Sequence, residues 1–138
     1  MGINYVSTRD LKKQEITASQ AILKGLADDG GLFVPTSVPA LDVSLDSLAE
    51  MTYQQVAYEV LKLFLTDFTK EELVHCIDSA YDDKFDTEEI APLTYADGAY
   101  YLELFHGATI AFKDMALSIL PHLMITSARK NNIKNDIV

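Results

Sequence analysis

Apolar residues recur at helical spacing in several stretches of the chain, and each such stretch opens with a polar cap. Thr17-Ala-Ser-Gln20 has the form of a capping box, in which a threonine and a glutamine satisfy each other's free backbone donors. Ile22, Leu23 and Leu26 follow it, so a helix is expected there. Asp29-Gly30-Gly31 should stop that helix, because glycine takes the left-handed geometry a helix end prefers. Thr52-Tyr-Gln-Gln55 repeats the box ahead of Val56, Val60, Leu61, Phe64 and Leu65. Thr69-Lys-Glu-Glu72 opens a third helix, with Leu73, Ile77, Ala80 and Tyr81 on one face. Its glutamates lie at the positive end of the helix dipole. Ser44 to Met51 reads as a shorter helix. Residues 4–8 and the run Leu32-Phe-Val-Pro35 read as short extended pieces, the second closed by a proline that cannot donate to a ladder. The apolar stripes of these helices are expected to form a core.

After Asp86 the pattern changes. Leu93 to Tyr95, then Ala96-Asp97-Gly98, then Tyr100 to Phe105 predicts a β-hairpin with a tight turn, its second strand running on toward His106. A helix is expected from Lys113-Asp114 through Met115, Ala116, Ile119 and Leu120, kinked at Pro121 and continuing from Met124 to Lys130. Asn131-Asn132 is a stop signal. Asn135 to Val138 has the look of the first residues of a buried strand, so the sequence reads as truncated. The fold class expected is α/β.

Composition narrows the function. The 138 residues carry a formal net charge of −10, which repels phosphate backbones and argues against a nucleic-acid partner. The acids cluster as Asp28-Asp29, Glu71-Glu72, Asp82-Asp83 and Glu88-Glu89, while Arg129, Lys130 and Lys134 make the end locally basic; both read as solvated helix faces and a complemented helix C-terminus. No apolar run approaches the roughly 20 residues of a membrane span. The N-terminus lacks the composition of a targeting peptide, which leaves a cytoplasmic address as the expectation. A single cysteine, Cys76, permits no intrachain disulfide and reads as a small core residue. His75, His106 and His122 have no metal-ligand spacing, so no metal site is expected.

The stretch that carries chemistry is Leu104-Phe-His-Gly-Ala-Thr-Ile-Ala-Phe-Lys-Asp114. It sets a lysine where a strand-derived loop becomes a helix, among the apolar residues Ile110, Ala111, Phe112 and Met115. Lost hydration in such a setting favours a neutral amine, the form that attacks a carbonyl to make a Schiff base. Gly107 and Ala108 are small enough to let a flat ring approach the backbone. The same residues equally describe a plain lysine at a helix start, with its stem packed and its head paired to Asp114. On residue chemistry alone this second reading is the stronger.

The stretch resembles the segment around the cofactor lysine of threonine synthases, which reads Leu-Phe-His-Gly-Pro-Thr-x-Ala-Phe-Lys-Asp. Ala18-Ser-Gln-Ala-Ile-Leu-Lys-Gly-Leu-Ala-Asp-Asp-Gly-Gly-Leu-Phe-Val-Pro35 and Asn4-Tyr-Val-Ser-Thr-Arg9 resemble N-terminal signatures of the same family. Ala108 departs from the pattern where proline is usual, which frees φ and adds an N–H in need of a partner.

The resemblance implies a threonine synthase N-terminal domain over residues 1–92, mostly helical with short strands. Residues 93–138 would begin a fold-type-II, tryptophan synthase β-like domain that binds pyridoxal 5'-phosphate. It implies an enzyme that converts O-phospho-L-homoserine and water to L-threonine and phosphate, a carbon–oxygen lyase acting on phosphate. Lys113 would be both the catalytic residue and the Schiff-base attachment point of the cofactor. Phe112 is a further candidate cofactor contact, with a place in the core favoured over it. His106 stands between lining the substrate mouth and hydrogen-bonding the loop. For Asp114 a helix-terminal charge is favoured over orienting the lysine, for Thr109 a loop cap over a substrate contact, and for Arg9 a surface ion pair over a phosphate contact. The family's phosphate-cradling Ser-Gly-Asp-Thr-Gly-like run has no counterpart here, so this chain alone is expected to be inactive, and its exposed apolar surface to favour self-association. Another fold-type-II pyridoxal-phosphate lyase and a non-enzymatic acidic interaction module are the alternative readings.

Overall fold

The computed structural model describes residues 2–134. The strand beginning expected at residues 135–138 lies outside the described residues. Strand β1 (Tyr5–Ser7) pairs antiparallel with β2 (Phe33–Pro35), setting Val6 opposite Val34 and Tyr5 opposite Pro35. Between them lies helix α1 (Ala18–Lys24), opened by the expected capping box of Thr17 and Gln20. The helix ends earlier than expected, at Gly25, whose φ of 68° is the left-handed conformation that glycine tolerates. The Asp29-Gly30-Gly31 run serves instead as the turn of a small bridge between Leu26 and Leu32, with Gly31 N–H donating to Asp29 Oδ1 at 2.8 Å.

Helices α2 (Leu45–Ala49), α3 (Tyr53–Phe64) and α4 (Lys70–Ala80) follow. The capping boxes Thr52/Gln55 and Thr69/Glu72 open α3 and α4. Strands β3 (Leu93–Ala96) and β4 (Ala99–Leu102) form the expected hairpin. Asp97 and Gly98, with φ of 50° and 80°, make a turn whose twist suits the strands. The second strand stops at Leu102, opposite Leu93; Glu103 N–H still donates to Pro92 C=O at 2.9 Å, but Pro92 has no N–H with which to continue the ladder. Both strands are exposed on both faces.

The C-terminal helix is two helices rather than one kinked helix: α5 (Asp114–Leu117) and α6 (Leu120–Lys130). Pro121 lies in the first turn of α6, where its missing N–H leaves no intrahelical bond unmade. The chain therefore breaks before the proline, between Ser118 and Ile119.

One core joins the two halves of the chain. α3 packs on α4, and α6 packs on α1 and α4. Ile119 and Leu123 share a buried cluster with Ala18, Leu73, Cys76, Ile77 and Ile90. Small side chains let α1 and α6 approach: Ala18, Ser19 and Ala21 on one, Ser127 and Ala128 on the other, all buried. Polar contacts edge this seam. Asn131 Nδ2 donates to Ser19 Oγ at 3.0 Å, and Lys130 Nζ meets the capping carboxylate of Glu72 at 2.9 Å. Cys76, wholly buried, sets its sulfur 3.4 Å from Thr126 Oγ1, and burial pushes its thiol pKa up. It is the small core residue the sequence implied.

Because Leu73 is 2% exposed at the centre of this cluster, Leu73→Ala is expected to destabilise the chain by about 2–5 kcal/mol in urea unfolding. The same truncation at exposed Leu93 is expected to change stability by less than about 0.5 kcal/mol.

Candidate functional site

The site is built on the loop between β4 and α5. His106 anchors its start. Its Nδ1 lies 2.5 Å from Asp86 Oδ1 and its Nε2 lies 2.7 Å from Glu103 Oε2. Both ring nitrogens thus face carboxylates, which favours the imidazolium, and the hydrogen bonds to Glu103 and then Asp86 push the His106 pKa above its ordinary value. The backbone repeats the tie, with Asp86 N–H donating to His106 C=O at 3.0 Å. Of the two roles left open for His106, the structure shows the loop-holding one.

Asp114 closes the loop. It is 6% exposed. Its Oδ2 accepts the Thr109 N–H at 2.7 Å and its Oδ1 accepts the Thr109 hydroxyl at 2.6 Å. These two bonds, the hydroxyl's first, hold the Asp114 carboxyl below the usual carboxylate range. Thr109 is therefore a loop cap, as expected. Asp114 is more than a helix-terminal charge, and it forms no ion pair with Lys113. Gly107 packs against it so closely that a Cβ there would stand 2.5 Å from Asp114 Cβ.

Between these anchors the chain is exposed. Ile110 has a φ of 60° and Phe112 is 66% exposed, so Phe112 is no core residue. Lys113 occupies the N-cap position of α5 and is exposed, which corrects the expectation that its apolar neighbours would strip its hydration. Ile110 and Phe112 point into solvent with it, while Ala111 is half-buried and Met115 packs against the core. Among the described residues its amine makes no hydrogen bond or ion pair. α5 itself is tied down by Tyr81, whose hydroxyl donates to Met115 C=O at 2.8 Å. Burial raises the Tyr81 pKa, and its ring meets Tyr53 edge-on at 4.8 Å.

Beside the lysine lies an open cleft of about 640 Å³ lined by Tyr53, Ala91, Leu102, Leu104, Phe112, Lys113, Met115, Ala116 and Leu117. Lys113 is the one charged residue among them. The cleft therefore offers a ligand apolar contact area and one amine at its edge. Arg9 stands elsewhere, beside Gly30 and Asp29. The Ser7 hydroxyl and Gly31 N–H, helped by the Arg9 charge, keep the Asp29 carboxyl below its ordinary value. Among the described residues there is no group of three or more histidine, cysteine or acidic side chains able to hold a metal, and no helix long and apolar enough to cross a membrane.

Residues 4–81 match the family model described as "Threonine synthase N terminus". The chain belongs to the threonine synthase family. The threonine synthase of Schizosaccharomyces pombe is 36% identical over 137 residues, covering 96% of this chain and 26% of that protein. Among solved structures, threonine synthase from yeast matches with a TM-score of 0.85 at 30% identity, over 96% of this chain and 28% of that one. The pyridoxal-phosphate-bound threonine synthase from Brucella melitensis matches with a TM-score of 0.82 at 31% identity, over 95% and 28%. The chain thus spans about a quarter of the length of the curated relatives it matches, and its mixed helix-and-strand fold is theirs. Sequence reasoning missed the tie from Asp86 to His106, which no local pattern marks, and the hold of Asp114 on Thr109. Glu103, three residues before His106, was the one partner whose spacing offered a signal.

The His106 clamp has a definite pH sign. A histidine whose folded pKa is raised contributes stability fully below its ordinary value of 6.5 and loses it as pH rises through the raised value. The stability difference between the wild-type chain and His106→Gln, from urea midpoints, is expected to be largest near pH 6 and to shrink with increasing pH. A pH-independent difference contradicts the clamp.

Proposed function

We propose that this chain supplies the N-terminal part of a threonine synthase and that Lys113 is its attachment point for pyridoxal 5'-phosphate. The observation that carries the reading is an exposed lysine, without a partner among the described residues, at the edge of an apolar cleft. It lies in a segment of family type. The Schizosaccharomyces match covers 96% of the chain, too much to leave out the stretch from Leu104 to Asp114. On this reading residues 93–138 begin the cofactor-binding domain, and α6 fastens it to residues 1–92. Phe112 forms one wall against the cofactor ring.

The whole enzyme would act on O-phospho-L-homoserine and water to give L-threonine and phosphate, as a carbon–oxygen lyase. When bound, pyridoxal phosphate supplies the sink for electrons released at the substrate α carbon. The chain's own part is to hold that group through Lys113 and to move protons with the Lys113 amine at the substrate α and β carbons. The cleft as described presents one cation to a substrate that bears both a carboxylate and a phosphate. We therefore expect the 138-residue chain alone to make no threonine.

Incubation of the chain with pyridoxal phosphate, borohydride reduction and peptide mass spectrometry tests the reading. Pyridoxyl modification is expected to concentrate at Lys113 over the other lysines. Modification spread over all exposed lysines alike, or substantial threonine formation by the chain alone, contradicts it.

A further inference from the structure

Asp114 adjoins the lysine and yet directs its carboxylate away from it. A carboxylate that is 6% exposed has lost most of its water and must find donors in the protein. Both of its oxygens do so on a single residue, Thr109, through the backbone N–H and the hydroxyl. The two bonds tie residue 114 back to residue 109 and close the intervening backbone into a short loop. Gly107, N-terminal to that loop, packs against the Asp114 side chain so closely that a Cβ there would stand 2.6 Å from Asp114 Oδ2.

The closed loop carries strain. Ile110 holds a φ of 60°, a region that a β-branched side chain avoids. Such a conformation persists only where surrounding contacts over-determine it. The contacts here are the Asp114–Thr109 pair, with Ile110 N–H donating to Gly107 C=O and Asp114 N–H to Ala111 C=O, each at 3.0 Å. Ile110 is 75% exposed and Phe112 66%, so neither is held by packing. A helix-terminal charge would not need this burial, and α5, at four residues, has little dipole to satisfy.

We infer that Asp114 is the positioning residue for Lys113: by closing the 109–114 loop it fixes where the amine stands at the cleft. This inference rests on the reading of Lys113 as the cofactor's attachment point. An asparagine replaces the aspartate only in part: its Oδ1 can accept the Thr109 N–H and its amide nitrogen can donate to the rotatable Thr109 hydroxyl, but the charge that strengthens both bonds is lost.

The test compares the wild-type chain with Asp114→Asn, Asp114→Ala and Thr109→Val, with circular dichroism melts to establish folding. Thr109→Val keeps the shape and the buried carboxylate but removes one donor, so it remains informative if the Asp114 variants do not fold. Amide exchange at Thr109 is expected to quicken about tenfold or more in Asp114→Ala, where the bond to a charged acceptor is lost, and by less in Asp114→Asn, which keeps a neutral acceptor. Borohydride-trapped capture of pyridoxal phosphate at Lys113, measured against the other lysines of the same sample, is expected to fall to their level. Thr109→Val is expected to move capture in the same direction by less. Unchanged Thr109 exchange in Asp114→Ala overturns the inference, as does quickened exchange with Lys113 capture intact. Selective capture in the wild-type chain that survives in the variants removes this inference alone. No selective capture in the wild-type chain removes the reading of Lys113 and this inference with it.

Discussion

The packing of α6 against α1 and α4 is the constraint from which the rest of the structure follows. The contact joins residues more than a hundred positions apart, as in the 3.0 Å bond from Asn131 to Ser19. Apolar burial of Ile119 and Leu123 supplies its driving force. The small side chains at the α1–α6 seam set how closely the helices approach. Lys130 reaches the same carboxylate of Glu72 that caps α4, so the end of α6 and the start of α4 are held by one group. With α6 fixed in this core, α5 and the loop before it have little freedom.

That loop is where the core's order meets an exposed, chemically useful surface. Its start is clamped at His106 by Asp86 and Glu103, and its end is closed by Asp114 on Thr109. Between the anchors stand Phe112 and Lys113, turned out toward a cleft whose walls include Leu102, Met115 and Leu117. On the proposed reading, the apolar walls offer contact area to the cofactor ring and the amine its covalent anchor. A solved relative of the family carries pyridoxal phosphate.

Much of the N-terminal fold was legible because its signals are local. A threonine and a glutamine or glutamate three residues apart satisfy each other whatever the rest of the chain does, and all three capping boxes formed. The Asp97-Gly98 turn was readable for the same reason. The end of α1 was not: Gly25 and the Gly30-Gly31 pair are both competent stops, and the bridge from Leu26 to Leu32 decides between them. Pro121 allowed two outcomes, a kink or a new first turn, and the packing of α6 selected the second. The lysine segment was recognisable from its motif, but its setting was not. Apolar neighbours suggested burial, whereas Ile110 and Phe112 are exposed. The Asp86–His106 tie and the Asp114–Thr109 closure depend on how distant segments or a bent loop meet, which no periodicity encodes.

If α6 belongs to the same core as α1 and α4, the three must open together. Native-state amide hydrogen exchange across a denaturant series measures this directly. Amides of Leu123 to Ala128 in α6 are predicted to exchange with the same opening free energy, and the same denaturant dependence, as those of Leu73 to Ala80 in α4. Exchange of α6 through a separate opening of lower free energy, with α4 still protected, would contradict the account.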